Sequence, residues 1–186
     1  MAVVQPLTGE LLVATPGLGD PSFRRTVVLV LRHDDEGALG VVLNRPLAVE
    51  TGEALPGWHR AVSPPATLFQ GGPVGLDSAL GLVTLTSSAD GPAVDRIIGP
   101  FGLVDLDADP ADGLPGVTGV RVFVGHSGWA GGQLEGEVAE GGWYVLPAQP
   151  GDLVDPDPAS LWRRVLRRQG GALAIVSTFP EDPSLN

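Results

Sequence analysis

The run Arg25-Thr26-Val27-Val28-Leu29-Val30-Leu31-Arg32, the acidic turn Asp34-Asp35-Glu36-Gly37 and the second run Ala38-Leu39-Gly40-Val41-Val42-Leu43 decide the fold class. β-Branched and large apolar side chains fit a pleated strand, and a short polar segment with a glycine at positive φ joins two such strands as a hairpin. Here the turn is read as the four residues 34–37, with Gly37 in the positive-φ position. Both runs are apolar at nearly every position instead of alternating, so both faces of the hairpin are expected to be covered.

Working outward, further strands are expected at residues 11–15, 67–70, 79–85, 120–125, 143–146 and 173–178. The clearest helix spans 158–169, where Asp157 can cap the free amides, Pro158 takes the first helical position and Gly170 closes the end. Leu161, Trp162, Val165 and Leu166 then share one face, leaving Arg163, Arg164, Arg167 and Arg168 toward solvent. A second helix is expected over 131–139, with Leu134 and Val138 pointing inward, and a third around 49–55 before Pro56-Gly57. Glycine and proline recur without forming a linker and no repeat is present, so residues 1–186 read as a single α/β (α+β) domain in which strands outnumber helices.

Composition excludes several classes of chemistry. With 11 basic and 22 acidic side chains the formal charge is −11, which repels phosphate backbones and anionic lipid surfaces. No cysteine is present, which removes disulfides, thiolate catalysis and cysteine-rich zinc sites. Every basic side chain is arginine, so a Schiff-base lysine and the lysine of a phosphate-binding P-loop are absent too. The N-terminus carries no positive charge before Arg24 and no long apolar run, so neither a signal peptide nor a membrane span is expected and the cytoplasm is the expected compartment.

The remaining motifs each have a plain structural reading beside a functional one. The Arg163–Arg168 cluster could be a nucleic-acid patch or meet an acidic protein surface, but its plain reading is a solvated helix face near the C-terminal dipole. Asp105-Leu106-Asp107-Ala108-Asp109 begins like a calcium loop and fails at Pro110 and Gly116, where glycine and a bidentate glutamate are needed, so no metal site is expected. Gly125-His126-Ser127-Gly128-Trp129 sets a serine beside a histidine, yet Trp129 occupies the place a nucleophile elbow gives to glycine. The plain reading there is a glycine-rich turn from strand to helix. His33 is read as bonding the neighbouring acidic turn. Arg45, in Asn44-Arg45-Pro46, offers a rigid fork of donors to a carboxylate, either on a ligand or within the fold, with Glu135 and Glu137 as the internal candidates.

These segments also resemble a known family. Residues 9–16, Asp20-Pro21-Ser22-Phe23, the hairpin through Asn44-Arg45-Pro46, Gln70-Gly71-Gly72-Pro73-Val74, Gly125 to Trp129 and Gly132-Gln133-Leu134-Glu135-Gly136-Glu137 followed by Trp143 resemble, in order, the motifs of the YqgE/AlgH family. The resemblance is weakest over residues 101–116. It implies a mostly antiparallel, bifurcated sheet curled into a pseudo-barrel with flanking helices, in a bacterial cytosolic protein. One member carries a label as a transcriptional regulator, and the family supplies no established enzymatic activity or agreed catalytic residues.

The expected function is therefore a non-catalytic binding or regulatory module without a cofactor, acting through a protein or small-molecule partner and not by direct contact with nucleic acid or membrane. Its candidate binding residues are Asn44, Arg45, Gly71, Gly72, Trp129, Gln133 and Glu135, chosen for polarity and for glycines that let a partner's backbone approach. The alternative is a hydrolase-like enzyme using His126 and Ser127.

Overall fold

The decisive hairpin forms as β2 (Val27–Asp34) and β3 (Gly37–Val42), antiparallel, with Asp34 opposite Gly37. The connecting turn is thus the two residues Asp35 and Glu36, not four. Gly37 takes φ 143°, and a Cβ there would lie 2.1 Å from the carbonyl oxygen of Trp129, so the position needs glycine both for its backbone angle and for close approach. The computed structural model describes residues 6–89 and 91–182.

Around the hairpin lie β1 (Glu10–Ala14), β4 (Pro46–Glu50), β5 (Thr67–Gln70), β6 (Val74–Leu85), β7 (Val94–Ile98), β8 (Phe101–Val104), β9 (Val117–Ala130) and β10 (Trp143–Pro147). The helices are short: α1 (Thr51–Ala54), α2 (Gln133–Ala139), α3 (Pro150–Leu153), α4 (Leu161–Gln169) and α5 (Gly171–Val176). The main sheet runs β10-β1-β2-β3-β9-β6-β8-β7, with β5 parallel to β9 and β4 antiparallel to β5. All other pairings are antiparallel. β9 is the fork. Its residues 127–130 pair with β3, residues 123–124 with β5, and its opposite edge with β6 from Val117 to His126.

Both faces of the hairpin are covered, as the unbroken apolar runs require. Leu29, Leu31, Val41 and Leu43 face one core shared with Phe69, Phe123 and the apolar side of α4. Val28, Val30 and Val42 face a second, built on Leu12, Trp129, Leu134 and Trp143. A third cluster, Trp58, Val83, Leu85, Val104 and Val120, lies under β6 and β8. Each such side chain contributes roughly 1.5–3 kcal/mol by leaving water, an upper figure because the unfolded chain already hides part of it.

Four expectations need correction. Residues 173–178 form no strand: the β-branched Ile175 and Val176 mislead, while α5 is a single short helix ending at Val176, followed by a turn at Ser177 and Thr178, and its Leu173 and Val176 pack on the first core beside α4. Residues 125–130 continue β9 and form no turn. The segment 158–169 opens with a 3-10 turn, Pro158–Ser160, before α4, and Asp157 makes no capping bond. β4, β7 and β8 were not anticipated. β4 begins on Pro46, which an edge strand tolerates because its ladder needs no amide there.

Candidate functional site

Past the end of β3, Asn44 imitates a strand. Its Oδ1 accepts the Val27 amide at 3.0 Å and its Nδ2 donates to the Arg25 carbonyl at 2.8 Å, fixing where β2 begins. Next to it, Arg45 Nη2 donates to the carbonyls of Pro21 (2.9 Å) and Arg24 (3.2 Å). The segment Asp20–Arg25 is therefore a loop closed from within by the Phe23 and Arg24 amides on the Asp20 carbonyl, and clamped from outside by Asn44 and Arg45. Its last residue, Arg25, has φ 57°, a left-handed conformation that a non-glycine residue holds only where neighbours enforce it.

Arg45 borders a hollow of about 240 Å³ with Pro21, Ser22, Gln70, Gly72 and Pro73. Burial holds its guanidinium below the ordinary arginine value, with the charge of Asp20 opposing. Segments 20–22, 42–45 and 70–73, distant in the chain, meet here because Gly71 and Gly72 lie flat on β9. A Cβ on Gly71 would stand 2.4 Å from the Gly125 carbonyl oxygen, and one on Gly72 2.2 Å from the His126 backbone. These glycines thus admit the protein's own strand. The Gly71 carbonyl accepts the Val42 amide (2.8 Å) and the Ser127 hydroxyl (3.0 Å).

The other expected residues sit elsewhere. Glu135 Oε1 accepts from His33 Nε2 at 3.0 Å, while His33 Nδ1 accepts the Leu7 amide, which fixes the neutral ring with its proton on Nε2. His33 therefore bonds Glu135 and not the acidic turn. A hollow of about 220 Å³ beside this pair is bordered by Asp34 and Asp35. Trp129 and Gln133 belong to a third arrangement: the Trp129 and Trp143 indole N–H groups both donate to Glu137 Oε2 (2.9 and 2.8 Å), and Gln133 Nε2 donates to Oε1 (3.0 Å). Phe23 packs on both indoles, at 5.8 and 5.5 Å between ring centres, and the indoles themselves meet edge to face at 6.1 Å. Arg45 pairs with neither Glu135 nor Glu137, because both carboxylates are engaged at α2. Of the seven expected residues, Asn44, Arg45, Gly71 and Gly72 come together; Trp129, Gln133 and Glu135 do not join them.

His126 and Ser127 are neighbours on a strand and so point to opposite faces. Ser127 is 0% exposed and donates to a backbone carbonyl, so its hydroxyl is not presented to a substrate. In the acidic loop, Asp105 and Asp109 accept the amides of Asp107 and Ala111 as local turns. Among the described residues no group of three or more His, Cys, Asp or Glu side chains is placed to hold a metal, and no helix is long and apolar enough to cross a membrane. The arginine face of α4 is less solvated than its spacing suggests. Arg164 pairs with Asp155 and Asp157, and Arg168 takes Asp152 through both oxygens. Sequence reasoning missed Ser22 and Gln70 as lining residues, since nothing local marks a polar side chain that becomes a wall only after β5 docks beside β3.

Residues 11–174 match the AlgH-like family. The UPF0301 protein SCO2948 of Streptomyces coelicolor is 53% identical over 190 residues, spanning 100% of this chain and 98% of that protein. A UPF0301 protein of Thermobifida fusca is 50% identical, spanning 97% and 96%. Among solved structures, protein DIP2367 of Corynebacterium diphtheriae aligns with a TM-score of 0.88 at 35% identity, covering 96% and 95% of the two chains. The solution structure of AlgH from Pseudomonas aeruginosa aligns at 0.71 and 28% identity, covering 97% of each. Sequence and curled, mostly antiparallel sheet agree, and the chain belongs to the AlgH-like, UPF0301 family.

Proposed function

We propose that this chain is a non-catalytic binding or regulatory module of the bacterial cytoplasm that captures an acidic group of a small molecule or protein partner at Arg45. The carrying observation is the hollow itself, where a partly desolvated guanidinium spends Nη2 on two loop carbonyls and borders a space also lined by Ser22 and Gln70, whose side chains carry a hydroxyl and an amide. Those are donors suited to a carboxylate or phosphate, and a fork held by two bonds loses little further freedom on binding. A regulatory role through such a partner fits better than direct reading of DNA. The formal charge is −11, and the arginines of α4 that a nucleic acid would need are partly occupied by aspartates.

The test is calorimetric titration of the full chain with succinate and with inorganic phosphate at low salt, for wild type, Arg45→Gln and Arg45→Lys. The expected result is a loss of about tenfold or more in affinity for Arg45→Gln. Arg45→Lys, which keeps the charge without the fork, should lie between. Unchanged affinity, or a lowered Tm with no effect on binding, would leave Arg45 as a loop clamp and sink the reading.

A further inference from the structure

On the far side of the Asp20–Arg25 loop, three more guanidiniums gather where the chain leaves α5. Arg24 donates to the carbonyl of Glu181, Arg25 to those of Phe179 (3.1 Å) and Pro180, and Arg163 to that of Ser177 (2.6 Å). In these bonds the acceptors are backbone dipoles and carry no formal charge.

The surroundings of Arg25 show the imbalance. Burial, then the charge of Arg163, pull its guanidinium below the ordinary arginine value, with Arg24 adding to the effect and Glu181 opposing it. Its plane lies 4.0 Å over the Trp162 ring, and its Nη1 is buried without a hydrogen-bond partner among the described residues. Beside it runs a cleft of about 240 Å³ whose lining includes Pro16, Gly17, Arg24, Arg25, Pro180 and Glu181.

From this geometry we infer that the cleft is a second anion site, separate from the Arg45 hollow, taking a small dianion of the phosphate or dicarboxylate class in place of the carbonyls of Pro180 and Glu181. A dianion supplies the formal charge those carbonyls lack, binds a guanidinium edge through two bonds, and gives Nη1 of Arg25 an acceptor. Trp162 covers one face of Arg25 and leaves the edge for the ligand. The carboxylate of Glu181 lines the same cleft and opposes entry, so removing its charge should tighten binding.

The test follows the arginine Nε–Hε resonances of the full chain during titration with sodium phosphate, and in a separate arm with succinate, at constant ionic strength and with sodium chloride as the reference. Wild type, Arg24→Gln, Glu181→Gln and Gln70→Ala are compared; Arg24 is exposed, so its replacement spares the core. Expected are saturable shifts at Arg24 and Arg25, weakened about tenfold or more by Arg24→Gln. Glu181→Gln should bind more tightly, and Gln70→Ala, which alters the lining of the hollow and leaves the Arg45 clamp in place, should bind as wild type does at this cleft. Phosphate acting alone or succinate acting alone would each support the site and name its preferred dianion. Shifts that chloride reproduces, or that Arg24→Gln leaves intact, overturn it. Shifts confined to Arg45 also overturn it, while leaving the hollow's reading in place.

Discussion

The outer face of α4 and the loop side of the molecule solve the same problem in opposite ways. On α4, Arg164 and Arg168 meet Asp155, Asp157 and Asp152. Although burial pulls it down, Asp155 and Asp157 carry Arg164 above its ordinary value. On the loop side, Arg24, Arg25, Arg45 and Arg163 donate to backbone carbonyls, and both Arg25 and Arg45 are depressed by burial. A guanidinium matched to a carboxylate is finished as a structural pair, whereas one resting on dipoles keeps attraction to spare for a ligand.

Arg121 is the sharpest challenge to that rule. It is 1% exposed and donates to the carbonyls of Leu153 (3.2 Å), Asp155 (3.0 Å) and Pro64 (2.6 Å), with its guanidinium 4.2 Å over Phe69. Burial drives its pKa down to about 10, against the charge of Asp155. Being sealed, it can only be structural. Arg121→Ala should therefore lose about 4 kcal/mol, from a cavity plus stranded carbonyls, in a urea unfolding curve. A loss below about 1 kcal/mol would mean that carbonyl-held arginines do not organise this fold.

The carboxylate arm should break more gently. Asp152 binds Arg168 and also accepts the Gln149 amide at the start of α3. Asp152→Ala is expected to cost about 2 kcal/mol by thermal denaturation, as a lost cap and an unpaired partner add.

The smallest effect concerns Glu135. The bond from its own backbone amide holds its carboxyl below the usual range; burial opposes this, and His33 adds to it. A depressed folded pKa contributes stability that is complete above the unfolded value, about 4.3, and disappears as pH falls through the folded one. Glu135→Gln should thus flatten the acid limb of the stability curve by about 0.5 kcal/mol, the side chain being 31% exposed. Curves that stay parallel below pH ~4 would show that the Glu135 carboxylate contributes nothing to acid stability.

How far the sequence could be read depended on whether the relevant partner was local. β2, β3 and the apolar side of α4 were legible because runs and spacings encode their burial. β7 was not: Val94-Asp95-Arg96-Ile97-Ile98 carries two charges within five residues and lies at the sheet's edge. The continuation of β9 through Gly125 and Gly128 was hidden because glycine reads as a turn, although at Gly125 it makes room for Leu76 and the Gly72 carbonyl. For the site, Asn44, Arg45 and the Gly71-Gly72 pair were singled out by residue type within the family-like segments. The partner of Arg45 could not be, since carbonyls of Pro21 and Arg24 leave no mark in a list of side chains.

The position of β9 in the chain has a consequence for synthesis. β3, β5 and β6 all take a neighbour from residues 117–130, so nearly two-thirds of the polypeptide must leave the ribosome before any of them can be completed. Until then apolar strand edges stay unpaired, and a nascent chain stalled ahead of Val117 is the form of this protein most in need of a chaperone.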